Sequence, residues 1–107
     1  MSMQQIDSIN NKITKLDVHF RKTNESFSEK ERLFSRAIKL NEEVGELCEA
    51  VLYENDNNQR KKEKEIDLDS ELVDVIICTL LLAHNRKKDV WIEIDKKLDK
   101  QLNRFNL

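Results

Sequence analysis

The chain has 107 residues, with 19 Lys and Arg against 21 Asp and Glu for a formal charge of −2, and 37% of its residues are charged against 38% hydrophobic. No proline, one glycine, one Trp, one Tyr and four Phe leave it without the turn chemistry that a sandwich, a barrel or a βαβ array needs at every connection. Interspersed charges of nearly balanced sign also exclude the one-signed basic face of a nucleic-acid-binding protein, so the expectation is a single all-α domain over 1–107, assembled as a four-helix bundle. Its apolar share is small for a domain of this length, which calls for helices that bury faces against a second copy of the chain.

The opening MSMQQIDSINNK has no apolar stretch behind a basic start, so no secretory leader is expected. Ile6, Ile9, Ile13, Leu16 and Phe20 recur at alternating helical steps and predict a first helix over about residues 3–22. Thr23 to Ser28 breaks the pattern, and Ser28 followed by Glu31 has the spacing of a capping box. Leu33, Ala37, Leu40, Val44, Leu47 and Val51 then mark a long second helix from Glu29 to about Glu54. Asn55 to Asn58 ends it, and Gln59 to Glu65 is a charge run without apolar periodicity, read as a solvated connection.

Asp67 or Asp69 caps a third helix, Ser70 to about His84, and the cationic turn Asn85 to Lys88 suits its C-terminal end. This helix carries the longest apolar run of the chain, Val75 to Ala83 interrupted by Thr79. That run is too short to span a bilayer, and a cytoplasmic protein without a membrane partner is expected. With hardly a polar side, the helix should be buried on most of its surface. Asp89 caps a fourth helix with an apolar stripe of Trp91, Ile94, Leu98, Leu102 and Phe105. Cys48 and Cys78 sit in apolar helical patterns without metal-ligand or redox spacing and read as reduced core thiols. His19 and His84 read as surface residues, and Trp91 as a core anchor.

Against this background the acidic residues stand out. Glu71 and Asp74 are three apart on one face of an otherwise apolar helix, where an unmatched carboxylate is costly. Glu43 and Glu46 are likewise three apart, beside the stripe of the second helix. No Lys or Arg is read as interleaved with either pair, so a bound metal is the expected partner. All-oxygen ligands favour Mg²⁺, with Mn²⁺ as a substitute. A di-iron centre would require a Glu-x-x-His motif, and neither His19 nor His84 stands three residues after a Glu. On the fourth helix Glu93, Lys97, Gln101 and Arg104 share a polar face that could meet phosphate oxygens. Gly45, unfavourable inside a helix, either permits close helix packing or leaves room for a ligand beside the acids.

The run Leu40 to Ala50, containing Glu42-Glu43-Val44-Gly45-Glu46-Leu47, followed by Glu71-Leu72-Val73-Asp74, resembles the E-E-x-x-E … E-x-x-D signature of MazG-like nucleotide pyrophosphohydrolases. These belong to the all-α nucleotide pyrophosphatase superfamily. Lys97, Arg104 and Phe105 are similar to the family's C-terminal K-x-x-x-N-x-x-R-Y pattern, with Gln101 in place of Asn and Phe105 in place of Tyr. The resemblance implies hydrolysis of a nucleoside triphosphate between its α and β phosphates, to a monophosphate and pyrophosphate. It implies Mg²⁺ on Glu43, Glu46, Glu71 and Asp74, Glu42 or Glu46 as the base that prepares water, and Lys97, Gln101 and Arg104 on the substrate. It further implies a homodimer or dimer of dimers, and a role in cleansing the nucleotide pool with preference for deoxynucleotides such as dCTP. A dedicated dUTPase, a phosphoribosyl-ATP pyrophosphohydrolase and a non-catalytic helical dimerisation module are the other readings.

Overall fold

The structure is a computed structural model that describes residues 1–56 and 67–107. Four helices follow one another: α1 (Met3–Thr23), α2 (Glu29–Asp56), α3 (Leu68–Asn85) and α4 (Val90–Arg104), with no strand among the described residues. The all-α expectation holds. The starts are fixed by side chains that satisfy free backbone N–H groups. Ser2 and Gln5 form a capping box on α1, Ser28 and Glu31 form the expected one on α2, and Asp67 and Asp89 cap α3 and α4. With Asp67 as its cap, α3 starts at Leu68, two residues before the anticipated Ser70. At the other end of α2, Asn55 donates from its amide to the carbonyl of Val51 at 2.8 Å, and the helix runs on to Asp56. The reading of residues 57–66, Gln59 to Glu65 included, lies outside the described residues.

Lys87 closes α3 in the left-handed region at φ 57°, and the N–H of Lys88 reaches back to the carbonyl of Ala83 at 3.2 Å. Helices commonly end this way, but usually on glycine. In a chain whose one glycine is Gly45, a lysine takes the strained position.

α2 and α3 form the packed pair, and α1 lies across α3. Among the described residues the buried apolar side chains are Ile13 of α1, Ala50 of α2 and Leu81 of α3. α3 is therefore less covered than its composition suggests: Leu72, Val73 and Ile76 are about half exposed within one chain. The whole of α4 beyond Trp91 is exposed, including its apolar stripe. Trp91 is half-buried and donates through Nε1 to Asn10 Oδ1 at 3.1 Å, so it latches α4 to α1 rather than anchoring a core. Cys48 is exposed and Cys78 half-buried; neither is the core thiol expected, because the stripe of α2 on which Cys48 lies is only partly covered.

A buried polar knot joins the three packed helices. Asp17, with its side chain 6% exposed, accepts from Arg21 Nε at 2.9 Å and from Asn85 Nδ2 at 3.2 Å. Arg36 and His84 approach it to 3.7 and 3.4 Å, and Arg36 Nε donates to Asn85 Oδ1 at 3.1 Å while its guanidinium covers the Phe20 ring. His84, expected on the surface, is half-buried because it faces this carboxylate.

Burial alone would push the Asp17 carboxyl up, but Arg21, Asn85 and His84 outweigh it and hold the group below the ordinary value of 3.8. Asp17→Asn should lower stability at pH 7 by about 2–3 kcal/mol in urea unfolding, less than for a fully dry pair because Arg21 still meets water. A lowered native pKa stabilises above the unfolded value and ceases to do so as pH falls through the native one. The stability gap between the native chain and the variant should therefore close below pH 3.8.

Candidate functional site

The partners of α2 and α3 fix their direction. Arg36 near the start of α2 meets Asn85 at the end of α3, while Glu46 in mid-α2 meets Glu71 in the first turn of α3, so the two helices run antiparallel. Ten residues of helix, about 15 Å, separate the Asp17 knot from the acidic end.

At that end Glu43, Glu46 and Glu71 each bring a carboxylate oxygen within 4.8 Å of the others. Glu43 is buried at 8% exposure, and Glu46 and Glu71 are half-buried. The Oε2 atoms of Glu43 and Glu71 are sealed from solvent without a hydrogen-bond partner. Burial first, and then the charges of Glu46, Asp74 and Glu43, push the Glu71 carboxyl above its ordinary range. Like charges so placed need a shared proton or a cation.

The donor set fits a hard divalent ion. It offers only carboxylate oxygens, and two of them are buried without a partner. An octahedral ion with bonds of about 2.1 Å spans at most about 4.2 Å between ligand oxygens, a spacing that small side-chain adjustments reach.

Asp74 is half-buried on the same face of α3 and, with Glu43, lines an adjoining cavity of about 240 Å³. Apolar walls from Leu16 and Phe20 of α1 and from Ile77 and Leu81 of α3 close it, beside Arg36 and Lys39. Gly45 touches nothing: a Cβ built there would meet no atom within 4 Å. No element among the described residues packs closely against Gly45.

The structure does not gather every expected residue. Glu42 has its side chain exposed, outside the three-acid group, 3.7 Å from Lys39 Nζ. Lys97, Gln101 and Arg104 lie on the exposed face of α4. Lys97 borders a groove shared with Glu93 and Lys100 of its own helix, and Arg104 stacks on Phe105. The expectation that no cation is interleaved with the acids is overturned: Lys39 Nζ is 3.3 Å from Glu43 Oε1, four residues along α2. That spacing is visible in the sequence, one turn before Glu43. The roles of Arg36 and Asn85, and the burial of Asp17, were not visible, because apart from Arg21 the partners come from other helices.

The chain is an all-helical domain that gathers three carboxylates, a set that could hold a metal ion, where two antiparallel helices pack. Its particular family follows from the sequence: residues 35–106 match the model of the MazG nucleotide pyrophosphohydrolase domain, and the chain belongs to that family. Comparisons with curated proteins and with solved structures found no match. No helix among the described residues is long and apolar enough to cross a membrane.

Two variants check the electrostatics and the open space. Glu71→Gln should raise the melting temperature of the metal-free protein at pH 7, while millimolar Mg²⁺ should raise that of the native chain and leave the variant's unchanged. Gly45→Ala should stabilise the fold by about 0.5–1 kcal/mol in urea unfolding, since the helix gains and no atom is in the way.

Proposed function

We propose that the protein is a Mg²⁺-dependent nucleoside triphosphate pyrophosphohydrolase, which cleaves between the α and β phosphates and releases a monophosphate and pyrophosphate. The observation that carries this reading is the convergence of Glu43, Glu46 and Glu71 from two helices, with two carboxylate oxygens buried and unpartnered. Glu43, Glu46 and Glu71, with Asp74 beside them, would hold the ion. Mg²⁺, when bound, neutralises phosphate oxygens and makes water more acidic, with Mn²⁺ as a substitute.

The residues divide the remaining work. Glu43 is held rigidly by burial and orients the centre. Glu46, half-buried in the cluster, is better placed than Glu42 to take a proton from water at a carboxylate oxygen. Lys97, Gln101 and Arg104 supply donors for the departing pyrophosphate from α4.

In one chain those donors stand away from the acids, and the apolar residues Ile94, Leu98, Leu102 and Phe105 of α4 are exposed, as are Leu72, Val73 and Ile76 of α3. Both observations support a homodimer, or a dimer of dimers, that packs these faces and brings a basic face to each acidic centre. The reading extends to a single cytoplasmic domain over 1–107 that cleanses the nucleotide pool and prefers deoxynucleotides such as dCTP.

Pyrophosphate release from a panel of ribo- and deoxynucleoside triphosphates, with Mg²⁺ and with EDTA, tests the proposal. Release should require the metal, be fastest with deoxynucleotides, and fall about a hundredfold or more in Glu43→Ala, since loss of a ligand exceeds the effect of its supporting residues. Equal release in EDTA, or none from any nucleotide, would refute it.

A further inference from the structure

The carboxylates of Glu43, Glu46 and Glu71 meet at the acidic end of the α2–α3 pair, and among the described residues a single cation stands within ion-pair distance of the group. Lys39 Nζ is 3.3 Å from Glu43 Oε1 and 3.7 Å from Glu42 Oε2. Arg36, one turn earlier on α2, lines the same cavity, but its guanidinium is committed to Asn85, Asp17 and the face of Phe20.

The two cations differ in freedom. The Arg36 side chain is 14% exposed and that of Lys39 57% exposed. Lys39 thus has a four-carbon arm open to solvent on one side and a cavity wall on the other. Its tether to Glu43 is an i,i+4 ion pair at the rim, of the modest strength such pairs have. Glu43 is buried, and its Oε2 is the sealed oxygen without a partner, so an ion held by this carboxylate would stand beside the Lys39 ammonium on Oε1 and repel it.

We propose that Lys39 is the resident counter-ion of Glu43, that it must release Glu43 when this carboxylate takes a metal, and that the freed ammonium then holds a phosphate of the substrate. The inference rests on the pyrophosphohydrolase reading and adds to it a positioning residue outside the acidic motif. Its consequence is coupling. While the ammonium is on a phosphate it does not compete for Glu43, so nucleotide tightens metal binding and, by reciprocity, metal tightens nucleotide binding.

Calorimetric titration of Mn²⁺ into the native protein, Lys39→Met, Lys39→Arg and Glu43→Gln, with and without a non-hydrolysable nucleoside triphosphate, tests this together with KM and kcat. Without nucleotide, Lys39→Met should bind Mn²⁺ about two- to fivefold more tightly, the range that an exposed ion pair allows. The further tightening by the nucleotide should shrink, and KM should rise more than kcat falls. Lys39→Arg should restore the native behaviour.

Unchanged Mn²⁺ affinity and KM in Lys39→Met would make the pair a solvated surface contact and overturn the proposal. A change that Lys39→Arg does not reverse would assign Lys39 a structural role and overturn it equally. Full Mn²⁺ affinity in Glu43→Gln would instead remove the metal centre itself, which separates failure of the underlying reading from failure of the role of Lys39.

Discussion

Repulsion among carboxylates is the constraint around which this fold is arranged. Glu43, Glu46 and Glu71 are pressed together where α2 crosses the first turn of α3, and like charges there oppose the approach of the two helices. A strong attraction acts at the other end. Some 15 Å away along α2, Asp17 gathers Arg21, Arg36, His84 and Asn85 from three helices, and the buried Ile13 and Leu81 contribute the apolar share from α1 and α3. The pair is thus held closed at one end and strained by charge at the other. A cation held among these carboxylates would relieve that charge density.

Much of this was legible from the residues alone. The helices follow from apolar steps and from caps that are local in sequence, and Ser28 with Glu31 and Asp89 behave as their spacing indicates. Glu43, Glu46 and Glu71 could be singled out because acids on or beside apolar stripes need an explanation. What lay beyond reach depends on contacts between helices. Asp17 occupies the same stripe as Ile13 and Phe20, and beside the local Arg21 it is Asn85 and Arg36, arriving from other helices, that bury and complete the carboxylate's surroundings. Lys39 is a different case: its spacing to Glu43 is local, but one i,i+4 pair among many charged residues carries little weight until burial singles out its partner.

The departures at α3 and α4 share a cause. A continuous apolar run implies burial, yet it does not say against what, and within one chain Leu72, Val73 and Ile76 remain half exposed. The same holds for the stripe of α4. Composition indicates how much surface wants covering, whereas the partner surface is a property of the assembly. Trp91 shows the distinction on a small scale: its indole is only half covered, and its polar edge, bonded to Asn10, makes the latch.

The location of Glu43 and Glu46 in the middle of a helix of 28 residues bears on how such a protein diversifies. Side chains on a long helix keep their mutual geometry when loops and neighbouring elements alter. The cavity beside them, by contrast, is walled partly by Leu16 and Phe20, which precede the segment shared with the family, residues 35–106. The acids and part of the cavity wall beside them thus come from separable pieces of the chain. Exchange of Leu16 or Phe20 reshapes that wall while leaving the helical spacing of the acids on α2 and α3 as it is.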